Sequence, residues 1–407
     1  MSAELKASDP MTVTWMRFRK NLAAMAGVIV ITGAFLISVF CYLIMPDSSP
    51  NANQMNLSLS TMRPGFSVKQ LLIPRPFIRS TNFISEVFNG KSSPYSVIPI
   101  DTIWFKKDSL FFNRYTDEFI DEEVTEVMHL TDVFPGNISS RKIDHANRTV
   151  QWVSDNGLQR SLSFTDIRNE IEHEQIVHRK YFLGTDKFGR DMLSRLLAGT
   201  RVSLSVGFIA VAISLIIGIL LGSLAGFFRG WVDQIIMWMI NVIWSIPTLL
   251  LVIAITMALG KGFSQVFIAV GLTMWVEVAR VVRGQIFSIR EMEYIEAGRA
   301  LGYKNFRVIV KHILPNIMGP VFVIAASNFA SAILLEAGLS FLGMGAQPPT
   351  PSWGMMIKEN YGYIVVDAAY LAILPGVAIM LLVLAFTFIG NGLRDAFDTK
   401  ESDGAFS

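Results

Sequence analysis

Six apolar stretches, most of them bounded by charged residues, set the terms for any fold this chain can adopt. Leu22–Met45 carries no charge, Val202–Phe228 lies uncharged between Arg201 and Arg229, and Gln234–Gly260 lies between Asp233 and Lys261. Gly262–Val276 is shorter and needs residues up to Val282 to reach spanning length, while Ile313–Leu335 and Ala368–Leu393 complete the set. Each can cross a hydrocarbon layer of about 30 Å, which takes ~20 helical residues. As helices they satisfy their own backbone hydrogen bonds, as a lipid solvent demands. Composition agrees: 52% of the residues are hydrophobic and only 17% charged, which excludes an ordinary soluble domain. A net charge of +2 gives no basis for nucleic-acid binding.

Six spans put both termini on one side. Basic residues in short flanks set which side. The N-terminal flank holds Arg17, Arg19 and Lys20, and the segment from Arg280 to Lys311 holds seven Lys/Arg against three glutamates. The opposite short loops hold little more than Lys261 and Lys358. Both termini and the 280–311 segment are therefore expected in the cytoplasm. Leu22–Met45 is too long for the apolar part of a signal peptide and no small-residue cleavage site follows, so it reads as a first span. The single cysteine, Cys41, excludes an internal disulfide framework and reads as an apolar residue of that span.

Between the first two spans, Pro46 to Lys180 has fifteen basic and seventeen acidic residues, a soluble composition. By the same topology it faces away from the cytoplasm. Pro46–Pro99 is rich in Ser, Asn and Pro and reads as largely irregular. Tyr95–Ile100 and Thr102–Phe112 are strand-like, and Thr149–Val153 and Arg160–Phe164 flank an Asp155-Asn-Gly157 turn. Asp117–Leu130 and Thr165–Tyr181 are expected to be helices, each opened by a capping-type residue. The length suits a small α+β domain.

Two polar segments stand out. The first is Glu293-Tyr-Ile-Glu296-Ala297-Gly298-Arg-Ala-Leu301-Gly302, followed by His312-Ile-Leu314-Pro315. A helix over Glu291–Leu301 would carry charges on one side and leave Ile295, Ala297 and Leu301 for packing. Pro315 cannot continue an incoming helix without losing a hydrogen bond, so it should mark the start of the fifth span. The second is Gly184-Thr185-Asp186-Lys-Phe-Gly189-Arg190-Asp191, just before the second span. Asp186 with Arg190, and Asp191 with Arg195, have i,i+4 spacing suited to pairing.

The first segment resembles the EAA loop of ABC importer permeases: Glu-Ala-Ala, three residues, Gly, nine residues, then Ile-x-Leu-Pro. Gly298 stands for the second Ala and His312 for the first Ile. Gly298 should loosen the helix by about 1 kcal/mol relative to Ala, while letting a partner approach closely. The second segment is similar to the Gly-Thr-Asp-x-x-Gly-Arg-Asp signature of the oligopeptide, dipeptide and nickel branch. Further matches are Gly-Trp231-Val-Asp233, Arg280-Val-Val-Arg283-Gly284-Gln, Ser340-Phe-Leu-Gly343, Gln347-Pro-Pro-Thr-Pro-Ser-Trp353-Gly354, Leu374-Pro-Gly376 and Gly392-Leu-Arg394-Asp395. Their order and spacing resemble the C-type permease subunit, over about Tyr181 to Thr399; Pro46–Lys180 lies outside the resemblance.

The resemblance implies an all-α polytopic membrane protein with six transmembrane helices of the ABC importer permease type, carrying an α+β extracytoplasmic insertion between helices 1 and 2. The expected divisions are a cytoplasmic segment 1–21, helix 1 over 22–45, the insertion 46–180, the permease core 181–399 with its coupling loop near 284–315, and a cytoplasmic tail 400–407. Glu293, Glu296, Ala297, Gly298, Leu301, Gly302, Leu314 and Pro315 would meet the ATPase. Gly184, Thr185, Asp186, Gly189, Arg190 and Asp191 would lie on the binding-protein or gate side. The implied partners are a homologous B-type permease, two ABC ATPase subunits that bind ATP and Mg, an extracytoplasmic solute-binding protein and the bilayer of a bacterial inner membrane. The solute would be a peptide, nickel or a related small molecule.

The chain has no Gly-x-x-x-x-Gly-Lys-Ser/Thr run and so is expected to be no ATPase itself. No cofactor, metal or catalytic site is expected; His173 and His178 are five apart and share a helix face poorly. Intramembrane polar groups are the natural solute-path candidates because lipid exposure is costly. These are Glu277, which can pair with Arg280 three residues on, Glu336 after the fifth span, and Pro247, which should kink the third span. Trp275 and Trp353 read as interface aromatics. The alternatives are a membrane-anchored sensor or assembly protein built on the insertion, and a secondary transporter, which would need paired broken helices or intramembrane carboxylates.

Overall fold

The structure is a computed structural model that describes residues 10–75, 82–116, 125–133, 141–144, 149–153, 159–260 and 262–398. The Asp155-Asn-Gly157 turn and the 400–407 tail lie outside these residues. Within the described residues the chain divides into two compact units, one of Val39–Ala198 with Tyr363–Leu371, the other holding the rest.

The chain opens with α1 (Pro10–Lys20), whose last turn carries Arg17, Arg19 and Lys20, and α2 (Leu22–Ile44), the first span. The Asn21 side-chain oxygen accepts from the Ala24 N–H at 3.1 Å, satisfying a donor that the start of α2 would leave orphaned. Pro46, which cannot extend a helix, follows the end of α2.

The segment read as largely irregular holds a strand and a helix from Phe66 on. β1 (Phe66–Pro74) and α3 (Phe83–Asn89) precede β2 (Tyr95–Lys106), β3 (Ser109–Arg114) and β4 (Thr125–His129). After the single turn α4 (Leu130–Val133) come β5 (Arg141–Asp144), β6 (Thr149–Val153) and β7 (Gln159–Ser163), then α5 (Phe164–Glu170) and β8 (Ile176–Tyr181). One antiparallel sheet has the order β4-β3-β2-β1-β8, and β5-β6-β7 form a second. The register sets Leu71 against Ile98 and Ile176, so β1 is placed by a strand a hundred residues later in the chain. Leu71, Ile100, Leu110, Phe112, Phe164 and Ile167 are buried together as the core. Two expected helices are corrected here. Residues 125–129 pair with β3 as a strand, and the helix opened at Phe164 gives way to β8 because 176–181 pair with β1. Ser163 and Asp166 form a reciprocal capping box at the start of α5.

The remaining helices are α6 (Met192–Phe228), α7 (Gly230–Trp244), α8 (Thr248–Leu259), α9 (Phe263–Ile289), α10 (Glu293–Ala300), α11 (Asn305–Arg307), α12 (Leu314–Phe341), α13 (Trp353–Asn360) and α14 (Tyr370–Phe397). Among the described residues five continuous helices are long and apolar enough to cross a membrane; α7 and α8 make a sixth span only if taken together, bent by 93°. The third span is thus broken rather than kinked. Pro247 explains the place of the break, since its ring fixes φ and it has no N–H to give. Helices α6 and α9 come close because Gly222 carries no Cβ; one added there would lie 2.6 Å from the Ala279 carbonyl oxygen.

The fifth span also starts differently from expectation. Helical structure begins at Asn305 and runs through a wide π turn over Val308–Ile313 into α12, with Pro315 in its first turn. The wide turn absorbs the hydrogen bond that proline cannot make. Trp275 and Trp353 are buried rather than at a lipid boundary. Trp353 lies against Gly199, where a Cβ would come within 2.5 Å of its ring.

Candidate functional site

Helix α10 follows a tight turn in which the Arg290 N–H donates to the Ile286 carbonyl and the Met292 N–H to that of Ile289. Its one deeply buried side chain, Ile295, enters a core of Phe227, Val282, Ile286, Val308 and Ile317 drawn from α6, α9 and the start of the fifth span. The helix is therefore fixed to the spans by one apolar peg. Around that peg Arg299 lies over the Phe227 ring at 4.8 Å, and Arg307 over Tyr303 at 4.2 Å. Tyr303 in turn stacks on His312 with centroids 5.6 Å apart. This stack is what the His312 departure supplies.

The C-terminus of α10 is a Schellman turn. The Tyr303 N–H donates to the Gly298 carbonyl at 3.1 Å and the Gly302 N–H to that of Arg299 at 2.9 Å. Gly302 has φ +80°, a left-handed conformation that favours glycine. Gly298 is buried, and a Cβ there would lie 3.2 Å from the Tyr303 ring. The expectation that Gly298 opens the helix to a partner is corrected: it makes room for the chain's own tyrosine. Glu293, Glu296, Ala297, Leu301 and Pro315 are exposed, and Leu314 is half-buried. Beside them Met292, Tyr294 and Phe306 present further exposed apolar surface, with Phe306 78% exposed. Sequence reasoning missed Met292 and Phe306; their signal was large apolar residues in an otherwise charged segment.

Below α9 two ion pairs tie the neighbouring helix ends. Arg283 chelates Asp233, with Nη2 donating to Oδ2 at 2.7 Å and Nε to Oδ1. Arg229 donates to Glu291 at 2.6 Å. The Trp231-Val-Asp233 and Arg280-Val-Val-Arg283 blocks thus meet through the Arg283–Asp233 pair, which ties α9 to α7.

The Gly184–Asp191 loop is built in the opposite way. Thr185, Asp186, Arg190 and Asp191 are all at most 3% exposed. Asp186 accepts from the Phe188 and Arg190 N–H groups at 2.9 and 3.0 Å and from Arg190 Nε at 2.7 Å, with Arg195 Nε 3.5 Å away. Thr185 Oγ1 donates to the Leu59 carbonyl and accepts from the Met62 N–H at 2.9 Å. The Asn56 N–H donates to the Phe188 carbonyl at 3.0 Å, and the Asp47 N–H to Ser194 Oγ at 2.9 Å. Asp191 accepts from Ser194 and pairs with it rather than with Arg195 as the spacing suggested. Burial pushes the Asp191 carboxyl above its usual range, with the Ser194 bonds pulling it back. Gly189 has φ +69°, and a Cβ there would collide with the Asn56 carbonyl. These side chains are committed to holding residues 47–62 against the loop. Their burial leaves Thr185, Asp186, Arg190 and Asp191 no exposed side-chain surface of their own.

Of the path candidates, Glu277 lies near the middle of α9, is exposed, and makes no ion pair among the described residues. Arg280, expected to pair with it, instead lies over the Trp244 ring, 3.3 Å from its centroid. Trp244 is the last residue of α7, and Pro247 and its neighbours at the break are exposed. Glu277, Arg280, Trp244 and the α7–α8 break belong to one region of one unit. Glu336 is 1% exposed, with Oε1 accepting from Ser340 Oγ at 2.7 Å. It is buried inside α12, which runs on to Phe341, rather than following the span.

Comparison with known proteins decides the family. The family described as binding-protein-dependent transport system inner membrane component matches residues 218–402, and the N-terminal TM domain of oligopeptide transport permease C matches residues 10–59. The glutathione transport system permease protein GsiD of Pectobacterium atrosepticum is 42% identical over 220 residues, covering 54% of this chain and 73% of that protein. The dipeptide transport system permease protein DppC of Alkalihalophilus pseudofirmus is 43% identical over 221 residues, 54% of this chain and 72% of its own.

The chain belongs to the ABC importer permeases.

Among solved structures, the MetNI methionine ABC transporter in inward-facing conformations aligns at 19% identity and a TM-score of 0.43, over 51% of this chain and 98% of that one. An overlay this loose carries no argument. The sequence matches do: as a permease of this family the chain is a multi-pass inner-membrane subunit whose transport is driven through partners. Residues 60–217, with β1 to β8 among them, lie outside both family models.

Proposed function

We propose that this chain is the C-type half of a peptide importer's pore, and that α10 is the helix through which ATPase subunits move it. The observation that carries the proposal is the division of α10 into one buried peg, Ile295, and an outward face of Glu296, Ala297 and Leu301 flanked by Met292 and Phe306. A surface helix fixed to three spans through a single core transmits displacement as a rigid body. Its exposed apolar rim suits a protein partner rather than water.

The assembled importer contains a homologous B-type permease, two ATPase subunits that bind ATP and Mg, and an extracytoplasmic binding protein; this chain hydrolyses nothing itself. Both termini and α10 lie in the cytoplasm, and the insertion of 46–180 lies outside. ATP drives the switch between outward- and inward-facing pores only through its different affinity for the two states. The solute is a dipeptide, glutathione or a similarly short peptide, in keeping with the names of the relatives. It passes Glu277, Arg280 and the exposed break at Pro247, where a charge and non-helical backbone at membrane depth are best accommodated by a water-lined cavity.

The test is the double substitution Glu296→Arg with Ala297→Arg in the reconstituted importer. Uptake driven by ATP should fall at least about tenfold, the equivalent of 1.4 kcal/mol, with the amount of assembled permease unchanged. Normal coupled uptake would sink the proposal.

A further inference from the structure

Helix α3 belongs to the part of the chain that neither family model covers, and its surface is wrong for water. Phe83 is 69% and Ile84 71% exposed, with Phe88 half-exposed on the same short helix. Val87 alone turns inward. Its acidic residue, Glu86, pairs with Lys91 at 3.2 Å.

The position of α3 says what covers that face. The chain leaves α3 through Gly90 at φ +77°, and a Cβ there would lie 2.8 Å from the Tyr42 ring and 2.6 Å from the Ser48 carbonyl. The Lys91 N–H donates to that same carbonyl at 2.8 Å. Tyr42 is in the last turn of the first span, where Leu43 and Ile44 are also exposed. The C-terminal end of α3 is thus tied to the point at which α2 leaves the hydrocarbon. A seven-residue helix is about 10 Å long, and an interfacial helix sinks its apolar face roughly 5–10 Å into the headgroup boundary. Phe83 and Ile84 thus lie within about one short helix length of the end of α2.

We propose that α3 is an interfacial anchor, with Phe83, Ile84 and Phe88 inserted into the leaflet beside the first span so that the insertion rests on the membrane. The inference needs α2 to span the bilayer but is independent of the importer reading. Lipid is the committed occupant; a docked protein is the competing outcome.

The experiment uses the full chain in phospholipid nanodiscs, with Cys41→Ala removing the native thiol. An environment-sensitive fluorophore is attached at Ile84→Cys, with Phe83→Cys as a second site in case the first variant folds poorly. Glu174→Cys, an exposed polar position in the same unit, is the control. Emission at position 84 or 83 should be blue-shifted, and lipids carrying a nitroxide near the headgroup end of an acyl chain should quench it at least about threefold more than at 174. Water-like, unquenched emission at both sites would overturn the proposal. So would a blue shift that lipid nitroxides leave untouched, which would assign the face to protein.

Discussion

The two recognisable polar segments of this permease use similar residue types to opposite ends. In the Gly184–Asp191 loop the carboxylates, the guanidinium and the hydroxyl are consumed internally, and none of Thr185, Asp186, Arg190 and Asp191 is more than 3% exposed. In α10 Ile295 is the one buried side chain, while both glutamates stay in water. A signature of charged residues is therefore no guide to a partner surface until burial is known. The loop is a lock that fastens 47–62 to the start of the second span; α10 is a handle. Substitutions in the first should cost stability, and in the second should cost coupling.

The largest effect expected is on the lock. Asp186→Ala leaves the Arg190 and Arg195 guanidiniums buried without their shared carboxylate, which costs roughly 3–5 kcal/mol. Thermal unfolding in detergent or nanodiscs should show a large drop or no folded protein; an unchanged midpoint would dissolve the contrast. The α10 pair Glu296→Arg and Ala297→Arg should shift stability by no more than about 0.5 kcal/mol, as exposed substitutions do, while lowering driven uptake at least about tenfold. Equal losses of stability in both segments would again erase the distinction. Gly302→Ala is intermediate, because the Schellman turn needs its left-handed residue. It should destabilise by about 1 kcal/mol, read as a lower unfolding midpoint.

The smallest effect is a pH slope. Burial raises the folded Asp191 carboxyl above its ordinary value of 3.8, so the native state holds its proton more tightly than the unfolded chain. The linked stability is fully present below the unfolded value and is lost as pH rises through the folded one. Asp191→Asn should flatten the decline in unfolding midpoint as pH rises from about 4; an identical slope in both proteins would remove Asp191 from the lock.

Much of this molecule was legible from residue order, and the failures share a cause. Spans are local properties, so charge boundaries located them, and Pro247 marked the break between α7 and α8. The 93° angle and the π turn before Pro315 depend on how neighbouring helices receive the chain, which no local pattern encodes. β1 was missed because its partners are β2 and the distant β8, and residues 125–129 were read as helix because their pairing with β3 outweighs local propensity. At the site, the helix carrying Glu296 was legible, but of Ile295, Ala297 and Leu301, all expected to pack, Ile295 alone is buried. Gly298 was misread because Tyr303 folds back across it, and Arg280 because the Trp244 ring outcompetes Glu277 for its guanidinium.

The central claim, that α10 is the handle and the buried loop is not a contact surface, has a direct measurement. A photo-crosslinking residue placed at position 297 in the assembled importer should capture an ATPase subunit on illumination, and one placed at 185 should capture no partner. Failure of position 297 to capture the ATPase, or capture of the binding protein from position 185, would contradict the account.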